Sequence, residues 1–413
     1  MKSVKILLLV AAVWSGLNFA FAQTWTQTST PNEEYVSVAS SADGSRLVAL
    51  GIYPANLICS STNSGAAWIT NTMPLETDYG GWSSIASSAD GTKLVGTEFN
   101  VIWVSTNAGI TWSSNDVAGG LFFRSAAISA DGSELVAVAG LNSPGPIYTS
   151  TNSGASWTQT TAPTNLWTSV ASSADGSKLV AVAESGTTYL TNGNVIYTST
   201  DAGLTWTLTG APTNNTWVTV ASSADGSKIV AASQFAYVPS PGNGGIYTST
   251  DSGMTWTSNN VTKARWQSVA SSADGSKLVA VADVGQGGWI YTSTNSGATW
   301  ASNNAPNYSW TSVASSADGN KLIAAPAGDQ SSRPAPIYIS QTTPTPQLNI
   351  TPSNTNLALS WIIPSTNFVL QQSSDLISWA NLTNTPALNL TNLQNQVMLS
   401  PSNSSAFYRL KTP

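Results

Sequence analysis

WTSVASSADGSKLVAVA occupies residues 167–183, and IYTSTNSGASW occupies residues 147–157. Versions of these two segments alternate along most of the chain. The tight turn Ser-Ala-Asp-Gly, or a close variant, places its Asp at 43, 90, 131, 175, 225, 274 and 318, at spacings of 47, 41, 44, 50, 49 and 44 residues. Periods of this size belong to the blades of a β-propeller rather than to a helical solenoid. Within each copy the apolar residues alternate with period two and are rich in Val, Thr, Tyr and Trp, which is the pattern of half-buried strands. Four short strands fit one copy. In the fourth they are expected near residues 168–172, 178–183, 195–198 and 205–208.

Composition narrows the chemistry. The 413 residues include no His and one Cys, Cys59. A Ser-His-Asp or Cys-His nucleophile system, a His-ligated zinc site and a c-type haem are thereby excluded, and no cofactor or metal is expected. A lone cysteine makes no internal disulfide. Residues 1–22 read as a secretory signal: Lys2 and Lys5, then the apolar run Ile6 to Val13, then Ala20-Phe21-Ala22 as a small-x-small cleavage site. That run is too short to span a bilayer, and no later stretch qualifies. The expectation is export to the cell surface or medium. Without residues 1–22 the chain has 20 acidic and 12 basic side chains, a net charge of −8. Nucleic acid and anionic membranes are therefore not expected as partners. A monomer is expected.

A second element, S-T-[ND]-x-G-x-x-W, recurs at Ser61–Trp68, Ser105–Trp112, Ser150–Trp157, Ser199–Trp206, Ser249–Trp256 and Ser293–Trp300. Here the chain resembles the Asp-box, or bacterial neuraminidase repeat, family of β-propellers. Asp201 and Asp251 keep the acid, while Asn63, Asn107, Asn152 and Asn295 replace it. The acid or amide is expected to accept from N–H groups of its own turn, and the Gly to supply positive φ. Repetition in six copies marks the box as a hairpin staple rather than a ligand site. The seventh copy lacks its box, but Thr24–Thr28 matches Ser156–Thr160. The fold expected is thus all-β: a seven-bladed propeller over 23–341, with the N-terminal strand completing the last blade. Thr342–Pro346 reads as an extended linker. Residues 347–413 resemble the small immunoglobulin- or fibronectin-like sandwich modules that end many exported bacterial proteins.

Strand polarity divides the propeller into two faces. The Ser-Ala-Asp-Gly turns and the boxes share one, nearly invariant among copies. The other carries the remaining connections, with insertions at Glu184–Asn194 and Ser233–Gly245 and a longer connection at Thr72–Gly81. Variable loops on a rigid scaffold are where binding resides. Candidate ligand-binding residues on that face are Arg124, Arg265, Arg333, Glu184 and Asp283, with Trp82, Trp167, Trp217, Trp266 and Trp310 as stacking platforms. These tryptophans stand eight residues before the turn Asp, as do Tyr35 and Phe123, and a packing role competes with stacking. Arg46, Lys93, Lys178, Lys228, Lys277 and Lys321 follow the invariant turns and are expected to be solvated.

The resemblance implies two kinds of activity. Sialidase members need an arginine triad, a Tyr nucleophile with a Glu partner and an Asp acid/base. Three arginines are present at 124, 265 and 333, but Phe122-Phe123-Arg124-Ser125 departs from the family's aromatic-Arg-Ile-Pro motif, and no Tyr–Glu pair is assignable. No catalytic residue is therefore named. Sortilin-type receptors and photosystem II assembly propellers use the fold to bind proteins. The expected function is a non-catalytic propeller binding a protein or glycan through its variable face. The alternatives are a sialidase-like glycoside hydrolase and a structural surface or matrix protein without a ligand.

Overall fold

The computed structural model describes residues 23–411 apart from 73–80, 118–119, 142, 185–193, 235–243, 284–287, 329–332, 343–347, 354–355, 363–368, 390–392 and 401–405. Residues 1–22, read above as a signal, and most of the loop insertions and of the linker therefore lie outside the described residues.

Each repeat folds as a four-stranded antiparallel meander. The fourth runs Trp167–Ser172, Leu179–Ala183, Val195–Ser199 and Thr207–Leu208. Among the described residues there are seven such sheets before residue 342. The seventh is assembled from both ends of this region. Ser309–Ser315, Lys321–Gly328 and Tyr338–Gln341 pair in order, and Trp25–Gln27 adds the outer strand in the register Trp25↔Ser340, Thr26↔Ile339, Gln27↔Tyr338.

Backbone hydrogen bonds join the sheets into a closed ring. The turn alanine N–H of each sheet donates to the turn alanine carbonyl of the next: Ala42 to Ala89, then to Ala130, Ala174, Ala224, Ala273 and Ala317, and from Ala317 back to Ala42, all at 2.7–2.8 Å. A second ring lies one level deeper. The Oγ atoms of Ser37, Ser84, Ser125, Ser169, Thr219, Ser268 and Ser312 each accept a backbone N–H from the following sheet, at 3.1–3.4 Å. Small residues stand at both positions because first strands crowd together around the axis; larger side chains would hold the backbones too far apart to bond.

Farther out the space between sheets is filled by the aromatics at or next to the start of the first strands. Trp217 packs on Val180, Val182 and Ile196 of the preceding sheet and meets Tyr247 of its own edge-on at 5.1 Å. The same arrangement runs round the ring and ends with Tyr35 against Ile323, Ala325 and Ile337 of the seventh sheet. All seven rings are buried: Trp167, Trp217, Trp266, Trp310 and Tyr35 at 0% exposure, Trp82 at 1% and Phe123 at 2%. This corrects the expectation of stacking platforms at Trp82, Trp167, Trp217, Trp266 and Trp310. Neighbouring sheets splay apart at this radius, and the indoles fill the wedge, so no ring face is open to a ligand.

The invariant turns explain themselves locally. In the fourth sheet Ser173 Oγ donates to Asp175 Oδ1 at 2.6 Å and accepts the Lys178 N–H at 2.9 Å, while Asp175 also receives the Ser177 N–H. The box is a similar staple: Ser199 Oγ donates to Asp201, Asp201 accepts the Thr205 N–H, and Trp206 Nε1 donates to the Gly203 carbonyl. The two turns are tied to each other by the Ala202 N–H donating to Ser177.

The lysines after the turns are not simply solvated. Lys178 Nζ donates to the Asp225 carbonyl of the next sheet at 2.9 Å. Its stem covers Gly226, where a Cβ would sit 2.7 Å from the Lys178 Cδ and where φ is +67°. Glycine is required there by conformation and by contact. Lys228 and Lys321 repeat the clasp onto Asp274 and Asp43.

These turns make stability depend on acid. Burial alone would raise the carboxyls of Asp43, Asp90, Asp131, Asp175, Asp225 and Asp274, but donated serine or threonine hydroxyls and backbone N–H groups outweigh it and hold them below the usual range. In the exposed box of Asp251 the Thr255 hydroxyl and N–H hold the carboxyl at about 2. A lowered folded-state value stabilises the fold above the unfolded value and is lost as pH falls through the folded one. The melting temperature is therefore expected to change little from neutrality to about pH 5 and to fall steeply below about pH 4, the unfolded aspartate value. Calorimetry across pH 2–7 checks this; a maximum below pH 4 would contradict it.

After residue 347 two further sheets appear. Asn349–Ser353, Asn356–Ile362, Gln394–Leu399 and Ala387–Asn389 form one, and Ala380–Asn381, Val369–Ser373 and Phe407–Lys411 the other. Leu359, Trp361, Leu370 and Val397 are the buried core between them. A shortened form of the box recurs here. Ser373 Oγ donates to Asp375, Asp375 accepts the Ile377 and Ser378 N–H groups, and Trp379 Nε1 donates to the Leu376 carbonyl. Leu376, at φ +65°, takes the place of the missing glycine.

Candidate functional site

Where the copies agree, side chains are used by the scaffold. The site must then be sought at positions that occupy equivalent places in every sheet but differ in residue. Two such positions stand at the variable-face ends of the first and second strands.

The first is created by a β-bulge. In every sheet the register between the first two strands shifts at the residue after the buried aromatic, as between Trp167 and Ser169 or Trp266 and Ser268. A bulge re-aims one side chain without breaking the ladder. The bulged residues are Val36, Ser83, Arg124, Thr168, Val218, Gln267 and Thr311. Three of them act as clips: the hydroxyls of Ser83, Thr168 and Thr311 donate to the Phe123, Trp217 and Tyr35 carbonyls of the following sheet at 2.6–3.0 Å. Arg124 and Gln267 replace the clip with a longer polar group.

The second position lies at the end of the second strand or just past it: Ile52, Phe99, Gly140, Glu184, Gln234, Asp283 and Ala327. The polar members fall on the consecutive fourth, fifth and sixth sheets and meet the polar bulge residues or their neighbours. Arg124 Nη1 lies 3.6 Å from Glu184 Oε1, across the third and fourth sheets. Gln234 Nε2 donates to Gln267 Oε1 at 3.1 Å and to the Trp266 carbonyl at 3.0 Å. Arg265 Nη1 lies 2.9 Å from Asp283 Oδ2, and Ser309 of the seventh sheet donates to the other oxygen of Asp283. Both ion pairs are one-fifth to three-tenths exposed. Ile52, Phe99, Gly140 and Ala327 fill the second position in the other four sheets, so a blade of this kind can be built without an ion pair there.

In the first three sheets the second position carries no polar side chain. Ile52 packs against the buried cluster that includes Leu50, Ile58 and Trp82, and Phe99 meets Phe122 edge-on at 4.9 Å. The variable face thus has a polar arc from Arg124 of the third sheet to Ser309 of the seventh, and an apolar flank made by Ile52 and Phe99 of the first two sheets with Phe122 beside them.

The five expected site residues other than the tryptophans can be placed as well. Arg124 joins Glu184 across the third and fourth sheets, and Arg265 joins Asp283 on the sixth, so the fifth sheet stands between the two pairs. Arg333 is exposed in the connection between the second and third strands of the seventh sheet. Gln234, Gln267 and Ser309 were not among the sequence candidates; aligning the residue nine after each turn Asp with the residue seven before it would have singled out the first two. The scaffold also anchors the loops above the arc: Trp266 and Trp310 donate their indole N–H to the Gly244 and Gly288 carbonyls at 2.8 and 3.2 Å. Among the described residues no group of three or more His, Cys, Asp or Glu side chains could hold a metal, and no helix is long and apolar enough to cross a membrane.

No protein-family model matches the chain, and no curated protein matches it. Solved structures do. The structure described as YCF48 bound to D1 peptide is 14% identical, with a TM-score of 0.55, over 78% of this chain and 96% of that one. The Kuenenia stuttgartiensis hydrazine synthase is also 14% identical, with a TM-score of 0.58, over 77% of this chain and 98% of that one. Likeness at this identity is a likeness of fold, and together with the ring of meandering sheets it identifies the greater part of the chain as a β-propeller.

Proposed function

We propose that this is an exported, non-catalytic, seven-bladed β-propeller that binds a peptide segment of another protein on its variable face, with an immunoglobulin- or fibronectin-like module at its C-terminus. The observation that carries the reading is the polar arc. Guanidinium, carboxylate and carboxamide groups alternate along it at positions the scaffold does not require, beside an apolar flank. A peptide presents complementary groups: backbone amides for Gln234 and Gln267, charged side chains or a terminus for Arg124, Glu184, Arg265 and Asp283, and an apolar side chain for the Phe99–Phe122 flank. Burial of the five tryptophans argues for peptide over glycan, because sugar recognition by stacking would need an open ring face. A neighbour of the same fold is described as bound to a peptide.

Display selection of random peptides on residues 23–413 tests the reading. Peptides bound by the protein are expected to lose about tenfold or more in affinity, ~1.4 kcal/mol, on Arg124→Gln or Arg265→Gln. Lys228→Gln on the opposite face is expected to leave affinity within about twofold. Selection of no peptide, or of peptides indifferent to both arginines, would contradict it.

A further inference from the structure

The opposite mouth of the central channel carries its own socket. The turn alanines that form the hydrogen-bonded ring are clustered there, and Leu393 packs against them. Leu393 belongs to the C-terminal module, in the connection between Ala387–Asn389 and Gln394–Leu399. It also lines the channel cavity of about 160 Å³ behind the ring, as does Ile128.

The chemistry of the socket selects an apolar occupant. Every alanine N–H and carbonyl of the ring is already used in the ring itself. The serines lining the wall behind it are satisfied too: Ser172, Ser222 and Ser271 Oγ each donate to the following residue's carbonyl at 2.9–3.0 Å. The third sheet replaces this serine with Ile128. A mouth of methyl groups without spare donors or acceptors favours an aliphatic side chain and gains nothing from a polar one.

The path of the chain points to the same occupant. The last strand of the propeller region, Tyr338–Gln341, ends on the face of the turns. Thr342 is fixed there, its N–H donating to the Asn320 carbonyl at 2.8 Å and its Oγ1 lying 3.2 Å from Asn320 Oδ1. The module begins at Leu348, so the tether reaches at most about 20 Å. A tether that short holds the module at millimolar effective concentration over the mouth.

We infer that the C-terminal module is a docked plug and not a free spacer: Leu393 seats in the alanine ring and closes the invariant-face end of the channel. Ligand access is then confined to the variable face. This inference does not depend on the peptide reading.

Thiol accessibility in residues 23–413 tests it. Leu393→Cys is compared with Ile377→Cys, an 85% exposed position of the same module. The native Cys59 is buried with its thiol pushed up to about 11, so its background labelling is slow. Alkylation at 393 is expected to be slower than at 377 by about tenfold or more. Solution scattering of the unsubstituted chain is expected to fit a docked particle, and Leu393→Asp to increase its radius of gyration. Equal alkylation rates together with an extended unsubstituted particle would overturn the inference. Protection that grows with protein concentration would also overturn it, by placing the plug in a second copy.

Discussion

Trp217→Ala is expected to destabilise the protein by about 3–5 kcal/mol, the range for removing a fully buried large aromatic. The indole is inaccessible to solvent and bridges two sheets. Its loss leaves a cavity lined by Val180, Val182, Ile196 and Tyr247. That cavity cannot easily collapse, because the ring hydrogen bonds hold the two first strands at fixed separation nearer the axis. Leu204→Ala is the internal control. Leu204 is 73% exposed in the box of the preceding sheet, and its truncation is expected to stay within about 0.5 kcal/mol. Denaturant midpoints of the two variants measure the difference. A Trp217→Ala effect below about 1 kcal/mol would mean that the aromatic is not core and would reopen the stacking reading.

Removal of residues 23–30 is expected to cost as much or more. Trp25 is buried against the seventh-sheet cluster, 6.4 Å from the Trp310 ring. Thr28 donates through both N–H and Oγ1 to the Ile337 carbonyl, and Thr30 Oγ1 accepts the Ile337 N–H, each at 2.9 Å. One buried tryptophan at about 3–5 kcal/mol and several hydrogen bonds at about 1 kcal/mol each set the scale. Truncation also exposes the Tyr338–Gln341 edge, an invitation to intermolecular pairing. A lowered midpoint and aggregation are expected, with a synthetic peptide of residues 23–30 restoring stability in proportion to its concentration. A truncated chain as stable and as soluble as the parent would contradict closure by this strand.

The repeat period and the alternation of small and large apolar residues were enough to read four-stranded units, the partner of Trp25 and the division into two faces. All three depend on local pattern. The alanine ring was not legible, because it is a bond between backbones some 45 residues apart and its only trace is the smallness of the turn residue. The role of Lys178 was misread for the same reason: its partner, the Asp225 carbonyl, has no side-chain signature. The tryptophans show the limit of reasoning from radius alone. They stand at the variable end of the first strands, but they pack between sheets, and the bulge re-aims the next residue instead. Arg124 and Glu184 could be nominated separately from their failure to repeat. Their pairing needed the ring geometry that sets neighbouring sheets side by side.

On the function proposed above, repeated positions hold the fold while unrepeated ones at the variable face bind. A mutational scan of the displayed protein, scored in parallel for folded abundance and for binding of a selected peptide, tests it most directly. Substitutions at Trp217, Gly226 and Ala224 are predicted to lower abundance, whereas substitutions at Arg124, Glu184, Arg265 and Asp283 keep abundance and lose binding. Binding that survives at all four of those positions, or is lost through folded variants of the invariant turns, would contradict the account.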